Sequence, residues 1–272
     1  MIKLTQLAIY PIKSTAQISL PRAQISPFGL EMDRRWMLID DSAQMLTQRK
    51  HARLCLVETT ILPNALRITA PGMPALSVPF HTSGTVSPAE VQATVWDDTC
   101  NALNCGQQAA DWFSEFLKIP AKLVFFPDNE IRQVDLNFAS PGDTTAFSDG
   151  FPYLLIGQGS LDDLNRRLDC PISMRRFRPN LVLSTTDAWA EDHWKRIRIG
   201  NIDFSIVKPC SRCTIPSIDT QTAEKSAEPL KTLASYRMRD NKIFFGQNVI
   251  AQKVDPQGSA VLEVGMAVDI LE

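Results

Sequence analysis

The densest cluster of reactive side chains in the sequence is Lys208-Pro209-Cys210-Ser211-Arg212-Cys213-Thr214. A Cys-x-x-Cys spacing can chelate zinc, cycle as a dithiol, or offer one thiolate to a softer metal, and each use needs different surroundings. Structural zinc needs four ligands. The other close pair is Cys100 and Cys105, so a four-thiolate site requires two distant segments to meet. A thioredoxin-like dithiol opens a helix, whereas Thr214, Ile215 and Pro216 follow here. The closely spaced cysteine run of a plant-type iron–sulfur cluster is absent. Arg212 and Lys208 beside the thiols favour the thiolate, and Ser211 and Thr214 add hydroxyl donors, which suits an anionic ligand. The competing reading is an ordinary loop with a packed Cys210 and an inert Cys213.

Three more basic pieces stand elsewhere. In Met174-Arg175-Arg176-Phe177-Arg178-Pro179-Asn180, strand alternation would aim Arg176 and Arg178 the same way, toward a phosphate or pterin edge. The others are Pro11-Ile12-Lys13-Ser14 and Asp33-Arg34-Arg35-Trp36. Each alone is usually a solvated charge. Together with the cysteine cluster, they suggest one shared anionic ligand.

The elements that must position these pieces read as mainly β. The chain has 272 residues, with 18 Pro against 12 Gly, and its apolar runs are short. Strands are expected at Leu4 to Tyr10, Trp36 to Ile39, Leu54 to Ile61, Ala65 to Thr69, Leu76 to Val78 and Val91 to Trp96. A helix over Gln107 to Leu117 places Ala109, Ala110, Trp112, Phe113, Phe116 and Leu117 on one face, and Pro120 stops it. A polar stretch from Pro127 to Asp149 follows, which sets the domain boundary near residue 125: units 1–125 and 126–272. In the second unit Ser160, with Asp163 three residues on, reads as the capped start of a packing helix. Further strands are expected at Asn180 to Ser184, Arg196 to Ile199, Asp203 to Val207, Lys242 to Phe245, Asn248 to Gln252 and Val261 to Leu271. Two β-barrel units with a few helices are the simplest arrangement.

Composition narrows the function. With 28 Lys+Arg against 30 Asp+Glu, the chain is no general polyanion coat, which argues against nucleic acid as a partner. Neither a secretory signal nor an apolar run of membrane-spanning length is evident, so a cytoplasmic protein with no membrane partner is expected. Six cysteines are too sparse for a disulfide scaffold.

Six ordered blocks carry a resemblance: Pro11-Ile12-Lys13-Ser14, Asp33-Arg34-Arg35-Trp36, Phe177-Arg178-Pro179-Asn180, Ala190-Glu191-Asp192-His193-Trp194, Cys210-Ser211-Arg212-Cys213 and Phe245-Gly246-Gln247-Asn248. In these the sequence resembles the MOSC family, with its N-terminal β-barrel domain. The branch it resembles includes the mitochondrial amidoxime-reducing component and bacterial proteins that detoxify N-hydroxylated bases. The resemblance implies a molybdenum–molybdopterin cofactor between the two domains, with Cys213 as the protein's thiolate ligand to the metal. It further implies that Lys13, Ser14, Arg34, Arg178, Asn180, Ser211 and Arg212 hold the phosphate and pterin. Gly150 and Phe151 stand where close relatives have a Thr-Ser pair, so backbone N–H groups would substitute for hydroxyls there. Asp187 and Asp219, near these blocks, become candidate proton carriers, although each also suits the cap of a strand end or turn. The implied activity is reduction of small N-hydroxylated compounds. The sequence lacks ferredoxin-type cysteines, so electrons are expected from a separate flavoprotein, ferredoxin or haem protein. Two other classes compete: a carrier of the cofactor or of sulfur without turnover, and a zinc-stapled binding module using Cys100, Cys105, Cys210 and Cys213.

Overall fold

The computed structural model describes residues 1–80, 88–252 and 260–272. The chain is mostly strand, with three α-helices among the described residues. Seven strands close into a barrel in the order Tyr153–Gly157, Leu181–Leu183, Ile2–Ile9, Ala267–Ile270, Arg196–Ile199, Ile202–Ser211 and Lys242–Ala251, the last pairing back onto the first. Leu4, Leu155, Leu181, Leu183, Ile197, Ile199, Phe204 and Val249 share one buried core. Neighbours in the barrel pair antiparallel except Tyr153–Gly157 with Leu181–Leu183. A parallel pair needs a crossover, and helix Gln158–Asn165 provides part of it.

The other half is built from a four-stranded antiparallel sheet, Trp36–Ile39, Lys122–Phe125, Asp98–Asn104 and Glu90–Val95, and a three-stranded one, Glu58–Ile61, Ala65–Thr69 and Leu76–Pro79. Helix Gln107–Leu117 buries Ala109, Ala110, Trp112, Phe113 and Phe116, the apolar face expected from its spacing. The proposed units 1–125 and 126–272 follow the chain rather than the hydrogen bonding. Ile2–Ile9 is a stave of the barrel, and Val261–Glu263 pairs with Arg22–Ser26.

Several local expectations need correction. Leu54 to Leu56 lies in a 3₁₀ turn, Ala52–Leu56, where the Leu54 N–H donates to the His51 carbonyl and the Val57 N–H to the Leu54 carbonyl, so the strand starts only at Glu58. Lys242–Ala251 is one strand, not two. Gly246 carries it through at φ +80, where a Cβ would come 2.7 Å from Ile156 Cγ1 and 2.9 Å from the Leu155 carbonyl oxygen. Val261 to Leu271 is instead two short strands, interrupted by Gly265 at φ +99. Met174–Phe177 is a 3₁₀ turn, so alternation does not govern its arginines. Ser160 does not cap its helix. It lies in the first turn with its hydroxyl on Glu191 Oε1 and Oε2, at 2.7 and 2.9 Å.

Candidate active site

A cavity of about 360 Å³ lies where strands Tyr153–Gly157 and Ile202–Ser211 meet the loops that follow Ile2–Ile9 and precede Leu181–Leu183. Strand Ile2–Ile9 delivers Tyr10 to Ser14. Lys13 is only 5 % exposed, and its Nζ donates to the Phe147 carbonyl at 2.8 Å and to Asp149 Oδ1 at 2.5 Å. Burial pulls its pKa down to about 8 against the opposing pull of Asp149. Asp149, close to Lys13, Arg49 and Arg34, is held well below the usual carboxylate range by their positive charge. The loop carrying it is fixed from below by Arg132, whose Nη1 donates to the carbonyls of Ala146 and Ser148 at 2.9 and 2.7 Å.

Two guanidiniums flank the Tyr10 ring, Arg34 at 4.3 Å and Arg178 at 4.1 Å. Both residues have left-handed backbones, φ 48 and φ 59, which turn their side chains in from loops rather than strands. Arg34 Nη1 donates to Asp33 Oδ2 at 2.5 Å and to Asn180 Oδ1 at 3.0 Å. Arg178 Nη1 donates to the Thr15 carbonyl at 2.5 Å, and burial lowers its pKa to about 10. Tyr10 is pushed up to about 12 by burial and stays a neutral phenol, its O–H on the Pro179 carbonyl.

Strand Ile202–Ser211 carries Cys210 and Ser211 at its end, past register shifts at Ile206/Lys208 and Pro209/Ser211 that tolerate the proline. Arg212 Nη2 donates to the Phe177 carbonyl at 2.7 Å and Nη1 to Cys210 Sγ at 3.1 Å, while its buried Nε has no partner among the described residues. Burial nevertheless pushes the Cys210 thiol up, so the expected thiolate-favouring effect does not win there. Nor does Lys208 serve the thiols: its Nζ sits over the Phe138 ring at 4.2 Å.

Ten of the expected residues line this one cavity: Lys13, Ser14, Arg34, Gly150, Phe151, Arg178, Asn180, Ser211, Arg212 and Cys213. Asn180 is a brace as much as a wall. Its Nδ2 donates to the Ala8 carbonyl and Asp33 Oδ2, and its Oδ1 accepts from Arg34 and from the Leu154 N–H. Asp187 and Asp219 do not line the cavity. Asp187 is exposed. Asp219 accepts from the Gln221 and Thr222 N–H groups and pairs with Arg176 at 2.6 Å, which holds it below the usual range and matches the turn-cap reading. Arg176 therefore points to Asp219, away from Arg178's task.

Sequence reasoning missed Arg49, Trp96, Tyr153 and Asn248 as wall residues, and Asp149 as Lys13's counter-ion. Cation excess was the available signal, but nothing in Thr47-Gln48-Arg49-Lys50 marks Arg49 above other surface arginines. The zinc reading fails on geometry. Cys100 packs with Val95 and Phe126, and Cys105 against Phe113 and Leu123 in a separate core. Burial pushes them up to about 11 and about 12. No group of three or more His, Cys, Asp or Glu side chains is placed to hold a metal among the described residues. A larger cavity of about 720 Å³ lies against Tyr10 and Arg178 but includes neither thiol of the Cys-x-x-Cys pair.

The donor set of the smaller cavity fits a polyanionic metal cofactor. Lys13, Arg34, Arg49, Arg178 and Arg212 face one carboxylate, Asp149, and two of those guanidiniums keep a buried Nε unpaired. Cys213 adds a soft thiol to the same wall.

Residues 1–120 match the family described as the MOSC N-terminal beta barrel domain, and residues 142–269 match the MOSC domain. Mouse mitochondrial amidoxime-reducing component 1 is 35 % identical over 245 residues, 86 % of this chain and 71 % of that protein. Its human counterpart is 33 % identical over 98 % of this chain and 82 % of its own length. Zebrafish molybdenum cofactor sulfurase is 30 % identical over 96 % of this chain but only 33 % of that protein. The chain belongs to the MOSC family, with both the N-terminal β-barrel domain and the MOSC domain present.

Proposed function

We infer that the protein is a molybdenum-cofactor oxidoreductase that reduces N-hydroxylated compounds, such as amidoximes and N-hydroxylated bases. The observation that carries this reading is Cys213 in the wall of a cavity where five cations face one carboxylate. Likeness over nearly the whole chain to proteins named for amidoxime reduction supports the substrate class. When bound, molybdopterin supplies a two-electron metal centre able to take oxygen from an N–O bond.

The chain's own residues do the rest. Cys213 would offer the thiolate ligand to the metal. Arg34, Arg178 and Arg212 are fixed by Asn180, the Thr15 carbonyl and the Phe177 carbonyl before any ligand arrives, so little ordering is left for binding. Lys13, with a pKa near 8, keeps most of its charge at neutral pH and would bind an anionic oxygen through Nζ. Asp219, bound to Arg176 and outside the cavity, is poorly placed to carry protons. Electrons would come from a separate redox protein.

A cofactor carrier without turnover is the reading favoured by the likeness to molybdenum cofactor sulfurase. Turnover separates the two. Protein purified from a host competent in molybdopterin synthesis, supplied with a reduced viologen dye, should oxidise the dye only when an amidoxime or N-hydroxylated base is added. A molybdenum-loaded protein that leaves both substrates untouched would support the carrier and sink the reductase.

A further inference from the structure

One wall of the cavity comes from the N-terminal half. Arg49 lines it, and Arg49 Nε is buried without an acceptor among the described residues. Its guanidinium lies on the Trp96 indole at 4.0 Å. Stacking of this kind orients the planar fork and leaves its in-plane N–H groups free for a bidentate oxyanion. The backbone beneath is pinned at both sides: Gln48 Nε2 donates to the Ser14 carbonyl at 2.7 Å, and Lys225 Nζ to the Arg49 carbonyl at 2.9 Å. Arg49 is therefore fixed to the Lys13-Ser14 motif and to the C-terminal half before a ligand arrives.

Trp96 is an unusual residue for its position. It begins the two-residue tip between strands Glu90–Val95 and Asp98–Asn104, at φ 56, where Asn or Gly is the ordinary choice. A bulky side chain there is strained and persists only if its surroundings hold it. Here they do: the indole carries Arg49 on its face, and its Nε1 donates to Asp149 Oδ1 at 3.3 Å. The same carboxylate oxygen takes Lys13 Nζ, and Lys13 lies 6.0 Å from the indole ring. Two donors thus converge on one oxygen of Asp149, the one acid of the cavity wall, and the Arg49 charge nearby also favours its ionised form.

We propose that Arg49, positioned by Trp96, is a direct ligand of a phosphate monoester at the Lys13 end of the cavity, and that Asp149 is the internal counter-ion this phosphate displaces. The proposal rests on the reading of the cavity as the site of a phosphate-bearing cofactor. Asp149 balances the charge of Lys13, and a phosphate with more acceptor oxygens takes its place on Lys13 Nζ and supplies the acceptor that Arg49 Nε lacks. Trp96 is the positioning residue: it sets the plane of the Arg49 fork and would need no contact with the phosphate itself.

The test is calorimetric titration of inorganic phosphate into the full chain, at pH 6.5 and low salt, from a host that makes no molybdopterin. Wild type is compared with Arg49→Ala, Arg49→Lys, Trp96→Ala, Trp96→Phe, Asp149→Asn and Arg178→Ala. The expected result is about tenfold weaker binding for Arg49→Ala. Trp96→Ala should weaken binding comparably, with rescue by Trp96→Phe, which keeps an aromatic face. Asp149→Asn retains an acceptor for Trp96 but removes the competing charge, so binding should tighten. Should Arg49→Ala fail to fold, Arg49→Lys serves, since it keeps the charge but loses the fork and should bind severalfold more weakly. Wild-type binding in both Arg49 variants, with loss in Arg178→Ala, would overturn the Arg49 assignment and leave the cofactor reading standing. No phosphate binding by wild type would overturn both.

Discussion

Strand Tyr153–Gly157 has a polar cluster near each end, one buried and one lining a cavity, and the two are wired differently. At its C-terminal end Glu191, fully buried, accepts from Ser160 Oγ and the Gly157 N–H; Ser160 Oγ in turn takes the Trp189 N–H, and Thr185 Oγ1 takes the Gly159 N–H. Donors and acceptors match, although burial raises the Glu191 pKa. At the other end Tyr153 and Leu154 border the cavity where five cations meet one carboxylate and two guanidinium Nε atoms are unpaired. A matched buried network is scaffold. Cations gathered in excess around a cavity repel one another, and their physical rationale is an anionic ligand that supplies acceptors.

The contrast can be broken most sharply at the matched end. Glu191→Ala strands the Ser160 hydroxyl and the Gly157 N–H, and should cost about 3 kcal/mol in a urea unfolding experiment. A loss below about 1 kcal/mol would mean the network is not the brace described. Gly157→Ala attacks the same cluster sterically, since its Cβ would come 2.5 Å from Thr185 Oγ1 and 2.7 Å from Glu191 Oε2. The expected loss is about 2 kcal/mol, seen as a lower urea midpoint at unchanged slope.

At the unmatched end the sign reverses. Lys13 has a folded pKa near 8 against the ordinary lysine value of 10.5, so between those values the unfolded chain binds more protons. Stability contributed through this group is lowest below pH 8 and rises as pH climbs toward 10.5. Measured as wild type minus Lys13→Met across pH 7 to 10.5, the difference should increase by at most about 3 kcal/mol. A flat difference would show that Lys13 titrates normally. Phosphate affinity should run the opposite way, falling about tenfold as pH passes from 7 to 9 and Lys13 loses its proton. Titrations that show no loss over that range would exclude Lys13 from the anion site.

Much of the strand layout and the helix Gln107–Leu117 were legible, because burial on one face writes a period into the sequence. The cavity wall was legible where it sits on short blocks such as Phe177-Arg178-Pro179-Asn180. What escaped depends on backbone turns and long-range pairing. The left-handed residues Arg34 and Arg178 defeat an alternation argument, and Ile2–Ile9 gives no local sign that its partners are Leu181–Leu183 and Ala267–Ile270. Arg49 and Trp96 meet only because a hairpin tip and a loop converge, which no spacing encodes. Asp219 illustrates the reverse error: a carboxylate close in sequence to Cys213 is drawn off by Arg176.

The proposed function turns on Cys213 as the thiolate ligand of a resident molybdenum centre. The most direct measurement is metal content by inductively coupled plasma mass spectrometry, on wild type and Cys213→Ser purified side by side from a molybdopterin-competent host. The expected result is near-stoichiometric molybdenum in wild type, lost or strongly reduced in a Cys213→Ser protein with unchanged circular dichroism. Equal molybdenum in both proteins, or zinc without molybdenum in wild type, would contradict it.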